Sequence, residues 1–139
     1  MAAKRNVYVL DSFALLAFFQ DEPGGRRVKA IFGQALKKRA EILSTVVNYG
    51  EVVYITEREQ GLRVAQKLIA VIDQLPLGLV DVDRRLALAA AHLKAQHALS
   101  YADAFAVALA QDRQATVLTA DPEFRAVEAL VAIEWLPTT

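Results

Sequence analysis

NVYVLDSFALLAFF, residues 6–19, carries the clearest structural signal in the chain. Its first five residues, NVYVL, are β-branched, aromatic and apolar on both faces, which predicts a central parallel strand over residues 6–10. Residues 12–19 are predicted to form a short helix, because the turn-forming residues DEPGG follow at positions 21–25. Asp11 separates the two elements. A strand followed at once by a helix is the unit from which α/β folds are built.

The rest of the chain continues this alternation. Helices are predicted over residues 26–39, 46–60, 63–74, 84–97, 100–113 and, as a short segment, 121–127; strands are predicted over residues 41–44, 79–82, 116–119 and 131–135. Such an order is typical of an α/β domain with a parallel sheet and helices on both faces. No repeat or linker interrupts it, so one domain is expected over residues 1–139.

Composition excludes several classes of protein. An apolar fraction of 55% is too high for a disordered chain. The absence of cysteine excludes a disulfide scaffold, a thiolate metal site and thiol catalysis, and it suits a reducing cytoplasm. The 16 basic and 16 acidic side chains give a formal net charge of zero, so any affinity for nucleic acid has to come from local patches.

The N-terminal segment superficially resembles a signal peptide, with Lys4 and Arg5 ahead of an apolar run. Asp11 interrupts that run, no small-residue cleavage site follows, and no stretch is long enough to span a membrane. The sequence therefore predicts a soluble protein of the cytoplasm.

Four acidic residues stand where predicted strands end or predicted helices begin. Asp11 directly follows the first strand, and Asp121 comes two residues after the strand that ends at residue 119. Asp103 and Glu51 lie early in predicted helices. Because ligands of open parallel sheets bind at the carboxyl ends of the strands, these four side chains are expected to converge at that edge.

Each acidic residue taken singly is better explained as part of a helix cap. SYAD, ending at Asp103, and NYGE, ending at Glu51, both match the capping-box pattern. Asp121 precedes a proline and Asp11 precedes a serine, so each could cap the helix that follows.

A converged set would have a different meaning, because like charges repel. At an effective dielectric constant of about 20, a pair of carboxylates 4 Å apart costs on the order of 4 kcal/mol. Such a cluster needs a cation, and oxygen ligands without histidine or cysteine favour Mg²⁺ or Mn²⁺. A metal of this kind can activate water and stabilise a phosphate under attack, so the chemistry indicated is phosphodiester hydrolysis.

Four motifs contain these residues: VYVLDSFALLAFF around Asp11, STVVNYGEVVY around Glu51, LSYADAFAVALA around Asp103 and VLTADPEF around Asp121. In this order and spacing they resemble the PIN domain, and within it the VapC-type toxins of toxin–antitoxin pairs. The resemblance covers nearly the whole chain. It implies a three-layer α/β/α sandwich with a central parallel sheet, Mg²⁺-dependent endoribonuclease activity, an antitoxin that blocks the site, and a homodimer.

The resemblance also implies roles for individual residues. Asp11 and Asp103 correspond to direct metal ligands, while Glu51 and Asp121 bind the metal directly or through water. Supporting polar residues are implied at three further positions: Ser12, Asn48 and Thr119. Each of these three has an alternative role in satisfying nearby backbone groups, and Asn48 could be a helix cap.

Two surface features have more than one interpretation. Basic residues between positions 26 and 39 could contact RNA phosphates or form a solvated helix face: Arg26, Arg27, Lys29, Lys37, Lys38 and Arg39. Apolar residues of the first two helices could exceed what one core buries and form an antitoxin groove: Phe13, Leu16, Phe18, Phe19, Val28 and Phe32.

Other functions fit the sequence less well. A haloacid-dehalogenase-type phosphotransferase would need an aspartate where Phe13 stands, and a receiver domain would need a lysine beyond Lys94. A nucleotide-binding fold would need a glycine-rich loop, which the sequence lacks. A non-catalytic PIN-like binding module, whose carboxylates only cap helices or bind a partner, is the alternative that stays open.

Overall fold

The computed structural model describes residues 5–139, so the first four residues of the segment that resembles a signal peptide lie outside the described part. The strands are β1 (Asn6–Leu10), β2 (Ala40–Thr45), β3 (Gly78–Val80), β4 (Thr116–Thr119) and β5 (Ala132–Trp135). The helices are α1 (Ser12–Phe19), α2 (Gly25–Leu36), α3 (Val46–Gln60), α4 (Leu62–Ile72), α5 (Arg84–Gln96) and α6 (Tyr101–Arg113). A 3₁₀ helix covers Pro122–Val127.

The strands form one parallel sheet in the order β3-β2-β1-β4-β5. In the central strand β1, Val9 pairs with Leu43 on one side and with Val117 on the other. Strands β2 and β3 lie on one side of β1, and the chain then crosses over to form β4 and β5 on the other side. This reversal leaves a crevice at the carboxyl ends of β1 and β4, which is where open α/β sheets bind ligands.

Two hydrophobic cores, one on each face of the sheet, make the fold a three-layer α/β/α sandwich. In β1, Tyr8 and Leu10 belong to one core and Val9 to the other, because successive side chains of a strand point to opposite faces. The core around Val9 contains residues of α5 and α6, and the core around Leu10 contains residues of α1, α2 and α4. The predicted α/β/α architecture is confirmed.

Several predicted boundaries differ from the structure for local reasons. The second helix ends at Leu36 rather than at residue 39, because Lys38 adopts a left-handed conformation with φ of 60°. The backbone N–H of Arg39 then donates to the carbonyl of Gln34, which closes a turn before β2. The short helix predicted over residues 121–127 is a 3₁₀ helix that begins at Pro122 and has Asp121 as its cap. None of these differences changes the order of the elements.

The apolar residues of α1 and α2 are more deeply buried than the hypothesis of an exposed antitoxin groove predicted. Val28 and Phe32 are buried in the core around Leu10, so the expectation that they line an exposed groove is wrong. Phe18 packs edge to face on Phe19 and on Phe32, with ring centroids 5.1 Å apart in each pair.

Among residues 5–139, every helix falls short of the length and hydrophobicity that a membrane span requires.

Candidate metal centre

Asp11 lies between the end of β1 and the start of α1, and only 1% of its surface is exposed. Its Oδ1 accepts a hydrogen bond from the backbone N–H of Ala14 at 2.8 Å, which caps α1. Its Oδ2 accepts a hydrogen bond from the Thr119 hydroxyl at 2.5 Å. A carboxylate has about four lone-pair positions, so these two bonds leave others available. Capping and metal binding are therefore compatible at this residue.

Burial dominates the electrostatics of Asp11 and raises its pKa from 3.8 to about 7. The hydrogen bonds from Thr119 and Ala14 lower this pKa, while the charges of Asp121 and Glu51 raise it. A carboxylate whose charged form is disfavoured in this way lacks compensating positive charge, which a bound cation supplies.

Thr119 connects the ends of the two central strands. Its hydroxyl donates to Asp11 and accepts a hydrogen bond from the backbone N–H of Asp121 at 3.0 Å. The Oδ1 of Asp121 in turn accepts from the backbone N–H of Glu123 at 2.9 Å and caps the 3₁₀ helix, as the proline at position 122 suggests. One buried hydroxyl thus fixes the positions of two acidic residues.

Asp103 reaches the crevice from the first turn of α6. Ser100 caps this helix by accepting a hydrogen bond from the backbone N–H of Asp103 at 3.1 Å. In the predicted capping box, the side chain of Asp103 would accept a hydrogen bond from the backbone N–H of Ser100. That N–H donates instead to Oε2 of Glu123, at 3.3 Å. Carboxylate oxygens of Asp103, Asp121 and Glu123, one from each, lie within 4.8 Å of one another.

The pKa of Asp103 is also raised, from 3.8 to about 8, with burial as the largest cause. The charge of Asp11 is the second cause, and the charge of Asp121 and a hydrogen bond with Glu123 add to it, while a hydrogen bond with Ser100 opposes them. Burial and neighbouring carboxylates thus raise the pKa of both Asp11 and Asp103, and no basic side chain in the described part of the chain is among the groups that act on either pKa.

Glu123 belongs to this cluster although the sequence analysis did not identify it. It is exposed on the 3₁₀ helix, two residues after Asp121. The signal that could have identified it is the DPE triplet at positions 121–123, which places two carboxylates directly after a strand.

Glu51 does not take part in the N-terminal cap of α3, contrary to the capping-box prediction. Helix α3 is capped by Thr45, whose hydroxyl accepts a hydrogen bond from the backbone N–H of Asn48 at 3.0 Å. Glu51 therefore lies in the second turn of α3, where it is half-buried and close enough for its charge to raise the pKa of Asp11. Among the described residues, the set of three carboxylates within 4.8 Å does not include Glu51 or Asp11.

Asn48 is fully buried and joins the starts of three helices. Its Nδ2 donates to the Ser12 hydroxyl in α1 and to the carbonyl of Ala102 in α6, both at 3.2 Å. Its Oδ1 accepts from the hydroxyl of Thr45, the cap of α3, at 2.6 Å. The interpretation of Asn48 as a cap is wrong, because its side chain is used for these cross-links. The N-termini that it joins also direct their positive dipole ends toward the acidic residues.

The donor set fits a hard divalent cation. Every acidic residue at the crevice offers carboxylate oxygen, and both histidines lie elsewhere, on or directly after α5. Mg²⁺ and Mn²⁺ prefer such ligands.

Of the basic residues at positions 26–39, Arg27 forms a two-pronged ion pair with Glu134, with N–O distances of 2.8 and 3.1 Å, which gives it a structural role.

The family model of the PIN domain matches residues 8–130. This chain belongs to the PIN domain family. Its fold is similar to that of VapC20 from Mycobacterium tuberculosis, a sarcin–ricin loop cleaving toxin, with 16% identity and a TM-score of 0.72 over 94% of this chain and 99% of that chain.

Two toxin–antitoxin structures show the same likeness to this PIN domain. VapBC2 from Rickettsia felis, bound to a promoter DNA fragment, has 14% identity and a TM-score of 0.73 over 94% of this chain and 99% of that chain. DNA-bound VapBC from Salmonella typhimurium has 17% identity and a TM-score of 0.67 over 93% and 97% of the two chains. No curated protein matches the sequence. At these identities the structural likeness shows the fold alone.

Proposed function

We propose that this PIN domain is a Mg²⁺- or Mn²⁺-dependent endoribonuclease that acts as the toxin of a toxin–antitoxin pair. The observation that carries the proposal is the acidic crevice, where Asp103, Asp121 and Glu123 lie within 4.8 Å of one another beside the buried Asp11. A bound cation would relieve the repulsion between carboxylates in such an arrangement. The likeness to a toxin that cleaves the sarcin–ricin loop supports RNA as the substrate.

Each residue has a defined part in this proposal. Asp11 and Asp103 bind the metal directly, and Glu51 and Asp121 bind it directly or through water. When bound, the cation supplies an activated water and stabilises negative charge on the phosphate. Thr119 holds one oxygen of Asp11 in place and thereby limits how that carboxylate can turn.

Two further residues support this arrangement. Glu123 adds a fifth carboxylate near Asp103 and Asp121. Asn48 fixes the helices that carry three of the acidic residues relative to one another, through its bonds to Ser12, Thr45 and Ala102. Loss of this cross-link would misplace the ligands without removing any of them.

We also propose a cognate antitoxin, a homodimer and action in the cytoplasm. An apolar groove between α1, α3 and α4, lined by Phe19, Leu68 and Val71 among others, offers a surface for an amphipathic segment of the antitoxin. The VapBC structures, which are toxin–antitoxin complexes with the same fold, support such a partner.

The test is cleavage of labelled single-stranded RNA by the purified full chain. We expect cleavage with Mg²⁺ and none with EDTA or in Asp11→Asn. Asp112→Asn is the matched control, since the same chemical change is then made at the far end of α6, where Asp112 pairs with Arg85 at the surface. Cleavage that persists in EDTA or in Asp11→Asn would refute the metal-dependent mechanism. Absence of cleavage under all conditions by the folded protein would favour a binding module.

A further inference from the structure

One aromatic ring beside the candidate metal centre is exposed without a structural reason. Of the eight residues of α1, all of them described, Phe13 is the most exposed, with 39% of its surface accessible. Its neighbours Ala14 and Leu15 are buried, and Phe18 and Phe19 pack on the core around Leu10. Phe13 belongs to neither hydrophobic core. The covered part of its surface packs within the chain, and the 39% that stays exposed is available to a ligand.

Phe13 stands next to the acidic residues in both sequence and space. It follows Asp11 by two residues, and it lines a small cleft together with Ala120, the residue between Thr119 and Asp121. Leu136 and Pro137 form another wall of this cleft. The cleft thus opens at the carboxyl ends of the two strands that carry the metal ligands proposed above.

The cleft, with a volume of about 70 Å³, is too small to enclose a nucleobase, so its chemistry bears on which group can lie over its mouth. Its lining residues are Phe13, Ala17, Glu22, Pro23, Gly24, Ala120, Leu136, Pro137 and Thr138. They include a carboxylate but no arginine or lysine, so a phosphate would find no positive partner there. An uncharged, flat and partly apolar group suits this surface, and a nucleobase is such a group. Bases of single-stranded RNA stack on exposed aromatic side chains.

We propose that the exposed face of Phe13 is the stacking platform for a nucleobase adjacent to the cleaved phosphate, and that this base lies over the mouth of the cleft that Ala120 and Leu136 border. The proposal rests on the ribonuclease function proposed above. A cation held by the acidic residues would bind the phosphate, and the ring of Phe13 would hold the neighbouring base, so that the two contacts together would fix the position of the RNA strand in the acidic crevice.

The first test compares substitutions at Phe13 that separate stacking from simple apolar contact. We expect Phe13→Leu and Phe13→Ala to lower kcat/KM for single-stranded RNA on the order of tenfold, mainly through KM, because a base stack is lost. Phe13→Trp is expected to stay close to wild type. Tyr54→Leu is the matched control, since Tyr54 is an exposed ring on α3 that packs against Arg58. Circular dichroism checks that all variants fold.

The second test removes the base instead of the ring. An abasic site is placed in turn at each position around the cut. At one position it should slow wild-type cleavage on the order of tenfold and leave Phe13→Leu almost unaffected. Equal cleavage by Phe13→Leu and wild type, or the same abasic penalty in both, would overturn the proposal. If Phe13→Leu instead weakens only antitoxin binding, the ring serves a protein partner and the proposal is likewise overturned.

A binding measurement separates failure of this inference from failure of the ribonuclease proposal. If the wild-type protein does not cut RNA, the ribonuclease proposal fails, but the base contact is still measurable as affinity for labelled single-stranded RNA, by fluorescence anisotropy. Affinity that falls on the order of tenfold in Phe13→Leu but not in Tyr54→Leu would support the base platform. Equal affinity of wild type and Phe13→Leu would overturn it.

Discussion

Substitution of Asp11 by asparagine is expected to stabilise the metal-free protein at alkaline pH. The carboxyl of Asp11 has a pKa of about 7 in the folded protein against 3.8 in the unfolded chain. At pH 8 the folded protein must therefore hold a buried charge that the unfolded chain exposes to water. The difference between the two pKa values corresponds to a cost on the order of 4 kcal/mol, since each pKa unit is worth about 1.4 kcal/mol.

Asparagine has nearly the same shape and no charge, so it removes this cost. Its oxygen still accepts from the backbone N–H of Ala14, but the bond from the Thr119 hydroxyl to a charged oxygen is lost, which offsets about 1–2 kcal/mol. We therefore expect Asp11→Asn to raise the free energy of unfolding at pH 8 in EDTA by about 2 kcal/mol. Gains of this kind are common where a function requires a strained site.

The pH dependence has a defined sign. Between pH 7 and pH 3.8 the folded protein retains a proton on Asp11 that the unfolded chain has released, so lowering the pH through this range stabilises wild type. The advantage of asparagine should shrink accordingly, vanish near about pH 5 and become a deficit of about 1–2 kcal/mol near pH 4, where only the lost hydrogen bond counts. Saturating Mg²⁺ should also reverse it at pH 8, because the cation stabilises only the protein that binds it.

The assay is urea unfolding followed by circular dichroism, at pH 5 and pH 8, in EDTA and in Mg²⁺. Asp112→Asn provides the control, because Asp112 is paired with Arg85 at the surface and its pKa is lowered rather than raised. Asp11→Asn that is less stable than wild type by the same amount at both pH values would refute the reasoning, since Asp11 would then be a structural cap and nothing else.

Three other substitutions test the supporting residues. Thr119→Val should lower the rate of RNA cleavage about 10–100-fold, because Asp11 loses the hydroxyl that orients it; kinetics at saturating Mg²⁺ measure this, and an unchanged rate would contradict it. Asn48→Ala should lower the free energy of unfolding by about 1–3 kcal/mol, as seen by urea titration, because buried partners in three helices lose their bonds; full stability would show that the cross-link is dispensable. Glu123→Gln should weaken Mg²⁺ binding in calorimetry, whereas the exposed Glu128→Gln should not, and equal affinities for both would remove Glu123 from the site.

Local patterns predicted the architecture well because helix and strand periodicities are local properties. Residues 6–10 and 12–19 were assigned correctly, since an apolar run and a helix separated by Asp11 leave few alternatives. The end of the second helix was missed because Lys38 adopts a left-handed conformation that basic residues rarely take. The sequence around Lys38 contains no feature that would predict this conformation.

The acidic crevice was only partly predictable. The NYGE pattern matched a capping box at Asn48, but Thr45 is also a good cap and the structure uses it, which moves Glu51 one turn into the helix. Glu123 was missed because its proximity to Asp103 depends on how the end of β4 lies against α6. The DPE triplet marks two carboxylates near the end of β4, but the contact with Asp103 joins residues far apart in the sequence, so no local pattern shows that Glu123 reaches Asp103.

The most direct test of the account is to locate the cation itself. Crystals grown at pH 8 and soaked in Mn²⁺ would show the ion by its anomalous scattering. We expect a peak bonded to carboxylate oxygens of Asp11 and Asp103, with Asp121, Glu123 or Glu51 within reach of its water ligands, and no peak at this place in Asp11→Asn. An empty crevice at saturating Mn²⁺, or a peak only at another part of the surface, would contradict the claim that these carboxylates form a metal centre.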